Sequence, residues 1–214
     1  MILFLDAGHG GVDSFGKYTT FPDKCFKHKM GEFHRGSWFY EGVSNRFIAD
    51  ILAAKVNAAL KDVKIIRTYH PVKDTPLSSR STYVNEETKR IGKPALFISI
   101  HSDASVEHRA SGFTVYTSPG KTKADEFGEM VFKSVKSEFG KEIKYRTDLS
   151  DEDHDKEERF HVLVKTNVPA VLLEWLFFDN YNDALKIVDV GYANRYCNAI
   201  LSAIKVYFNN LEGL

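Results

Sequence analysis

The sequence predicts an α/β fold: a single domain built on a twisted, mostly parallel but mixed sheet flanked by helices. Apolar runs of strand length alternate with segments of helical periodicity along the whole chain. The 214 residues suffice for one substantial core, and no low-complexity spacer or change of composition divides them.

The elements follow in order. ILFLDA (2–7) is the first apolar run, and a long polar segment, roughly 12–40, comes after it. From Glu41, EGVSNRFIADILAAKVNAALK repeats apolar residues three and four apart, with Val43, Phe47 and Ile51 beside Leu52, Val56 and Leu60, which predicts a helix with a stripe against one sheet face. VKIIRT (63–68) reads as a strand, 77–91 as a helix, and ALFISI (95–100) and GFTVYT (112–117) as strands. These two are joined too closely for a helical crossover, so at least one antiparallel edge is expected. A helix at 122–139, a second polar segment at 140–159, strands at FHVLV (160–164) and AVLLEWLFF (170–178), and a helix at 189–209 complete the pattern.

Charge cancels overall, with 29 basic and 29 acidic residues, so no long-range field points to nucleic acid or membrane. Locally, DKCFKHKMGEFHR is basic and DLSDEDHDKEER acidic, as solvated loops commonly are. Cys25 and Cys197 form neither a disulfide framework nor a metal motif. The opening apolar run is too short for a membrane span and has no basic leader or small-residue cleavage site, so neither membrane insertion nor a signal peptide is expected.

FLDAGHGG and FISIHSDAS each run a buried strand into a histidine followed by small or polar residues, which places His9 and His101 at strand carboxyl ends, where open α/β sheets bind ligands. Either histidine alone is ordinarily a satisfied polar residue. Glu41 changes the balance: it opens a helix, where the dipole favours a carboxylate, and two imidazoles with one carboxylate and a water form a common catalytic zinc set. Glu174 stands inside the apolar AVLLEWLFF, and a buried glutamate takes up a proton or faces a cation. Either state suits a general acid and base; a buried salt bridge is the plain alternative.

At these residues the chain resembles the zinc-dependent N-acetylmuramoyl-L-alanine amidases of the type-3 class. LDAGHGG is similar to the family's Asp-Pro-Gly-His-Gly-Gly opening and YEGVSNRFIADIL to its ligand-bearing helix. TPLSSRSTYVN, FISIHSDAS and VPAVLLEWLFFDNYND resemble its later motifs, in the family's order and along nearly the whole chain. The resemblance implies a phosphorylase/hydrolase-like fold. It also implies one Zn2+ ion held by His9, Glu41 and His101, Glu174 as catalytic acid and base, and bacterial peptidoglycan as substrate, cleaved between N-acetylmuramic acid and L-alanine. It names no protein partner.

Ala7 replaces the usual proline, and Trp175 and Leu176 stand where the family more often has a small residue and then glycine, which is expected to crowd the pocket. The long interval GKYTTFPDKCFKHKMGEF is similar to phage and prophage endolysin-like members, and with no signal peptide it implies a protein made in the cytoplasm that reaches the wall after release. A zinc peptidase of the stem peptide and a non-catalytic wall-binding module remain the alternatives.

Other residues carry smaller expectations. Lys17, Lys24, Lys27, Lys29 and Arg35, interleaved with Tyr18, Phe21, Phe26 and Phe33, either border the substrate groove or merely cover the core. Arg80 is expected to pair with a core carboxylate, and His28, His34, His70, His108, His154 and His161 to lie on the surface or behind the site. Among these, His161, at a strand start, is the one placed to line the groove.

Overall fold

The computed structural model describes residues 1–29, 38–150 and 152–212. Six strands form the main sheet: β1 (Ile2–Ala7), β4 (Lys64–Arg67), β5 (Ala95–Asp103), β6 (Thr114–Thr117), β7 (Lys156–Glu157) and β8 (Ala170–Phe177), in the order β4-β1-β5-β8-β6-β7. β4, β1, β5 and β8 are mutually parallel, while β6 runs antiparallel to β8 and carries β7 parallel to itself. The reversal expected after ALFISI is therefore present, but β8 lies between β5 and β6, which are not neighbours.

Buried strands read as continuous apolar runs because helices cover both faces. Helices α1 (Glu41–Ala59), α3 (Lys123–Phe139) and α6 (Val190–Glu212) pack on one face, against Leu3, Leu5, Ile98, Ile100, Val171 and Leu173. On the other face α2 (Leu77–Ile91) and α4 (His161–Val164) close a smaller core around Phe4, Phe97, Val84, Val162 and Leu172. These two helices leave the carboxyl-terminal part of the sheet uncovered on that side, and the cleft forms there.

Several expectations are corrected. FHVLV is a turn of helix rather than a strand: Leu163 N and Val164 N both bond back to Phe160 O, and so short an apolar run does not distinguish the two by pattern. The helix expected at 189–209 is present as α6, and a helix not expected, α5 (Tyr181–Val188), precedes it, its N-cap Asn180 accepting from the Asn182 and Asp183 amides. In α1 the buried face runs through Asn45, Ile48, Ala49, Leu52, Ala53 and Val56, whereas Val43 is exposed. The 12–40 segment contains an antiparallel ribbon, β2 (Cys25–Lys27) with β3 (Trp38–Tyr40). His34, Phe33 and Arg35 lie outside the described residues.

Trp175 and Leu176 do not crowd the cleft. Both are fully buried on the α3–α6 side, Trp175 stacked on Tyr196 at 4.0 Å. The β5–β8 register slips between His101 and Asp103, so β8 carries an extra residue, and Leu176 takes φ 62. A leucine in this left-handed conformation costs about 1–2 kcal/mol relative to glycine, and its burial offsets that strain. Among the described residues no helix is long and apolar enough to cross a membrane.

Candidate metal centre

His9 leaves β1 with φ 64, a left-handed conformation that turns the chain sharply at the strand end. Gly8 before it lies against the His101 imidazole, so a side chain there would collide with that ring. The turn is stapled by Arg46 of α1, whose guanidinium donates to the carbonyls of His9 (2.8 Å), Gly10 (2.9 Å) and His70 (2.8 Å). His101 sits on β5 directly opposite Glu174 of β8, and directly paired residues share a face of the sheet.

Glu41 opens α1, and the 12–40 segment caps that helix: Glu41 N donates to Lys24 O (3.0 Å), and Gly42 N to the hydroxyl of buried Tyr18 (3.0 Å). The Glu41 carboxylate is 1% exposed, and its Oε1 meets His9 Nε2 and His101 Nδ1, each at 3.2 Å. Asn45 Nδ2 (3.2 Å) and Ser102 N (3.3 Å) donate to the same oxygen. The rings of His9 and His101 stand edge-to-face with centroids 5.1 Å apart.

Glu41 Oε2 is buried with no hydrogen-bond partner among the described residues, a costly state for a carboxylate oxygen. One donor atom from each of His9, Glu41 and His101 lies within 4.8 Å of the other two, so the three can hold a metal ion. Burial opposes ionisation of Glu41, yet the two imidazoles hold it well below the usual carboxylate range. Burial lowers the His101 value against the pull of Glu41, which favours the neutral ring that metal ligation requires. The chemistry of the donor set and the orphaned oxygen thus fit a cation.

Glu174 is displaced the other way. Burial first, then the charges of Glu41 and Asp103, push it well above the ordinary carboxylate range, with Lys24 opposing. Its Oε2 has no partner among the described residues, and the salt bridge considered from the sequence is not formed by any of them. Beside the histidines, a cavity of about 310 Å³ is lined by Gly8, His9, Asp74, Pro76, Leu77 and His101.

All four residues singled out from the sequence therefore come together. Sequence reasoning missed Asn45, although its i+4 spacing from Glu41 on a helix was the available signal. It also missed Ser102, Asp103 and Arg46, which depend on tertiary contacts. Arg80 pairs with Asp6 at 2.6 Å, as expected. His28 is buried and bonds Phe178 O, His108 meets Asp179, and His154 meets Glu129. His161 begins α4 rather than a strand and bonds Ser81, and the His70 ring accepts from the Val72 and Lys73 amides. Among the described residues of the basic segment Lys17, Lys24, Lys27 and Lys29 are exposed, and Lys24 acts on Glu174.

Comparison with known proteins agrees with the fold. The chain is 31% identical over 207 residues to the probable cell wall amidase LytH of Staphylococcus saprophyticus, matching 97% of this chain and 58% of that relative. It thus spans little more than half the length of the curated relatives it matches. The crystal structure of N-acetylmuramoyl-L-alanine amidase from Clostridium difficile 630 superposes with a TM-score of 0.74 at 22% identity, covering 97% of this chain and 96% of that one. AmiC2 of Nostoc punctiforme superposes with a TM-score of 0.72 at 22% identity, covering 98% and 97%. The profile of the N-acetylmuramoyl-L-alanine amidase family matches residues 3–206, so this chain belongs to that family.

Proposed function

We propose that the protein is a zinc-dependent N-acetylmuramoyl-L-alanine amidase that hydrolyses the amide between the lactyl group of N-acetylmuramic acid and the L-alanine of the stem peptide. The observation that carries this reading is the pairing of His101 with Glu174 across β5 and β8, which sets a carboxyl with an unpartnered buried oxygen beside a three-donor cluster. His9, Glu41 and His101 would hold the ion. Zinc supplies, when bound, a water whose pKa falls from 15.7 to about 7 and a charge that polarises the scissile carbonyl.

The protein's own groups handle the proton. Glu174 accepts it from the attacking water as the new C–O bond forms, then returns it to the alanine nitrogen as the C–N bond breaks. Its raised proton affinity suits the second half of that exchange, because a carboxyl that readily holds a proton still has one to give. Asn45 and Ser102 fix the Glu41 carboxylate, and Arg46 and Gly8 fix the His9 turn against His101.

Mass spectrometry of digested sacculi tests the reaction. A new alanine amino terminus is the expected product, a terminus deeper in the stem identifies a peptidase, and binding without release identifies a wall-binding module. His101→Ala is expected to lose both zinc, measured by elemental analysis, and activity. Full zinc occupancy in that variant would remove His101 from the ligand set.

A further inference from the structure

Beyond the three metal-binding residues, β5 carries Asp103 two residues after His101, with Asp179 near it. A substrate carboxylate that falls beyond the metal-binding residues is best met by a cation of the protein's own. Arg146 occupies such a position. Its segment is laid against the start of β6 by two backbone bonds, Phe113 N to Lys144 O and Arg146 N to Phe113 O, each 2.9 Å. The next residue, Thr114, pairs directly with Glu174.

The guanidinium lies over the ring of Phe177, 5.2 Å from its centroid, and Phe177 is 2% exposed, so the platform is part of the core. Asp103, Glu174, Arg146 and Glu158 all act on Tyr116 of β6. Arg146 acts on Asp103, yet among the described residues it makes no ion pair and no side-chain hydrogen bond. The better-buried arginines are committed, Arg80 to Asp6 and Arg46 to carbonyls. Lys24 also acts on the cleft, but on a flexible stem. A planar guanidinium stacked in advance suits a carboxylate better, through two parallel hydrogen bonds.

Spacing agrees. Two strand separations of about 4.8 Å put the Arg146 backbone about 10 Å from that of Glu174. An extended peptide advances about 3.5 Å per residue, so the residue after the scissile alanine falls between them. We propose that Arg146 is a specificity-determining residue that binds a carboxylate carried by the stem-peptide residue after the scissile alanine. This rests on the amidase reading above.

The test uses the zinc-loaded protein and two soluble muropeptides that differ only in whether the residue after L-alanine carries a free carboxylate or a carboxamide. For Arg146→Gln, KM for the acidic muropeptide is expected to rise about tenfold with kcat nearly unchanged, and the amidated one to be unaffected, the pattern of lost uniform binding. Arg146→Lys should recover part of that loss. Equal effects on both muropeptides, or none on either, would overturn the assignment while leaving the amidase reading intact. If the wild type frees no alanine amino terminus from either substrate, the amidase reading falls and the assignment falls with it.

Discussion

Two clusters of buried charge lie near the carboxyl end of β1. In one, Asp6 is 1% exposed and both its oxygens are met: Oδ1 by Thr68 Oγ1 (2.7 Å) and Arg80 Nη1 (2.6 Å), Oδ2 by Ser99 Oγ (2.7 Å). In the other, Glu41 and Glu174 each keep a buried oxygen with no partner among the described residues. Burial alone therefore does not separate supporting charge from reactive charge; unpartnered acceptors beside a three-donor cluster set the cleft apart. The Asp6 cluster spends its carboxylate on holding β1, β5 and α2 together. The cleft leaves its own available for a cation and a proton.

The largest effect should come from breaking the satisfied cluster. Arg80→Met strands Asp6 in the core and is expected to destabilise the fold by about 3–5 kcal/mol, read from the urea midpoint, because the remaining charge is left uncompensated. The cleft should respond in the opposite sense. Glu174→Gln is expected to cut turnover by roughly 100-fold or more while zinc content and the urea midpoint hold, since it removes acid–base capacity and no supporting contact. A variant that loses stability instead would place Glu174 with Asp6 as scaffold.

A third buried carboxyl sharpens the comparison. Asp155, 2% exposed, is pushed up to about 7 by burial and by the facing Asp153, with the Thr117 hydroxyl opposing. Below its ordinary value of about 3.8, folded and unfolded chains both hold the proton. Between there and about 7 only the unfolded chain ionises, so the wild type loses stability as pH rises through that window. Asp155→Asn cannot ionise, and should match the wild type near pH 4 and exceed it by about 1–2 kcal/mol at pH 8 in paired denaturation curves. Ser81→Ala, which removes the 3.1 Å bond to His161 at the edge of α4, should cost only about 1 kcal/mol, read in the same way.

Much of this was legible in one dimension, for identifiable reasons. Strands buried on both faces write themselves as apolar runs, and α2 and α3 emerged within a residue of their expected bounds. His9, His101 and Glu174 could be picked out because each interrupts or ends an apolar run, where a polar group demands an explanation, and Glu41 because it opens a helix, where the dipole favours a carboxylate. The same rule failed for FHVLV: four or five apolar residues satisfy a strand and a helical turn equally, and only the packing of Val162 and Leu163 beside α2 decides.

What the sequence determined by itself was the alternation of elements and the identity of the residues able to carry chemistry, because burial and side-chain type are local properties. The tertiary structure alone decided which of those residues meet. The parallel register that sets His101 opposite Glu174 and the Lys24 carbonyl that caps the helix bearing Glu41 are contacts between distant segments. So are the bulge that turns Trp175 and Leu176 into the core and the bonds at Phe113 that bring Arg146 to the rim. No spacing along the chain encodes such contacts, because they exist only once the strands have paired.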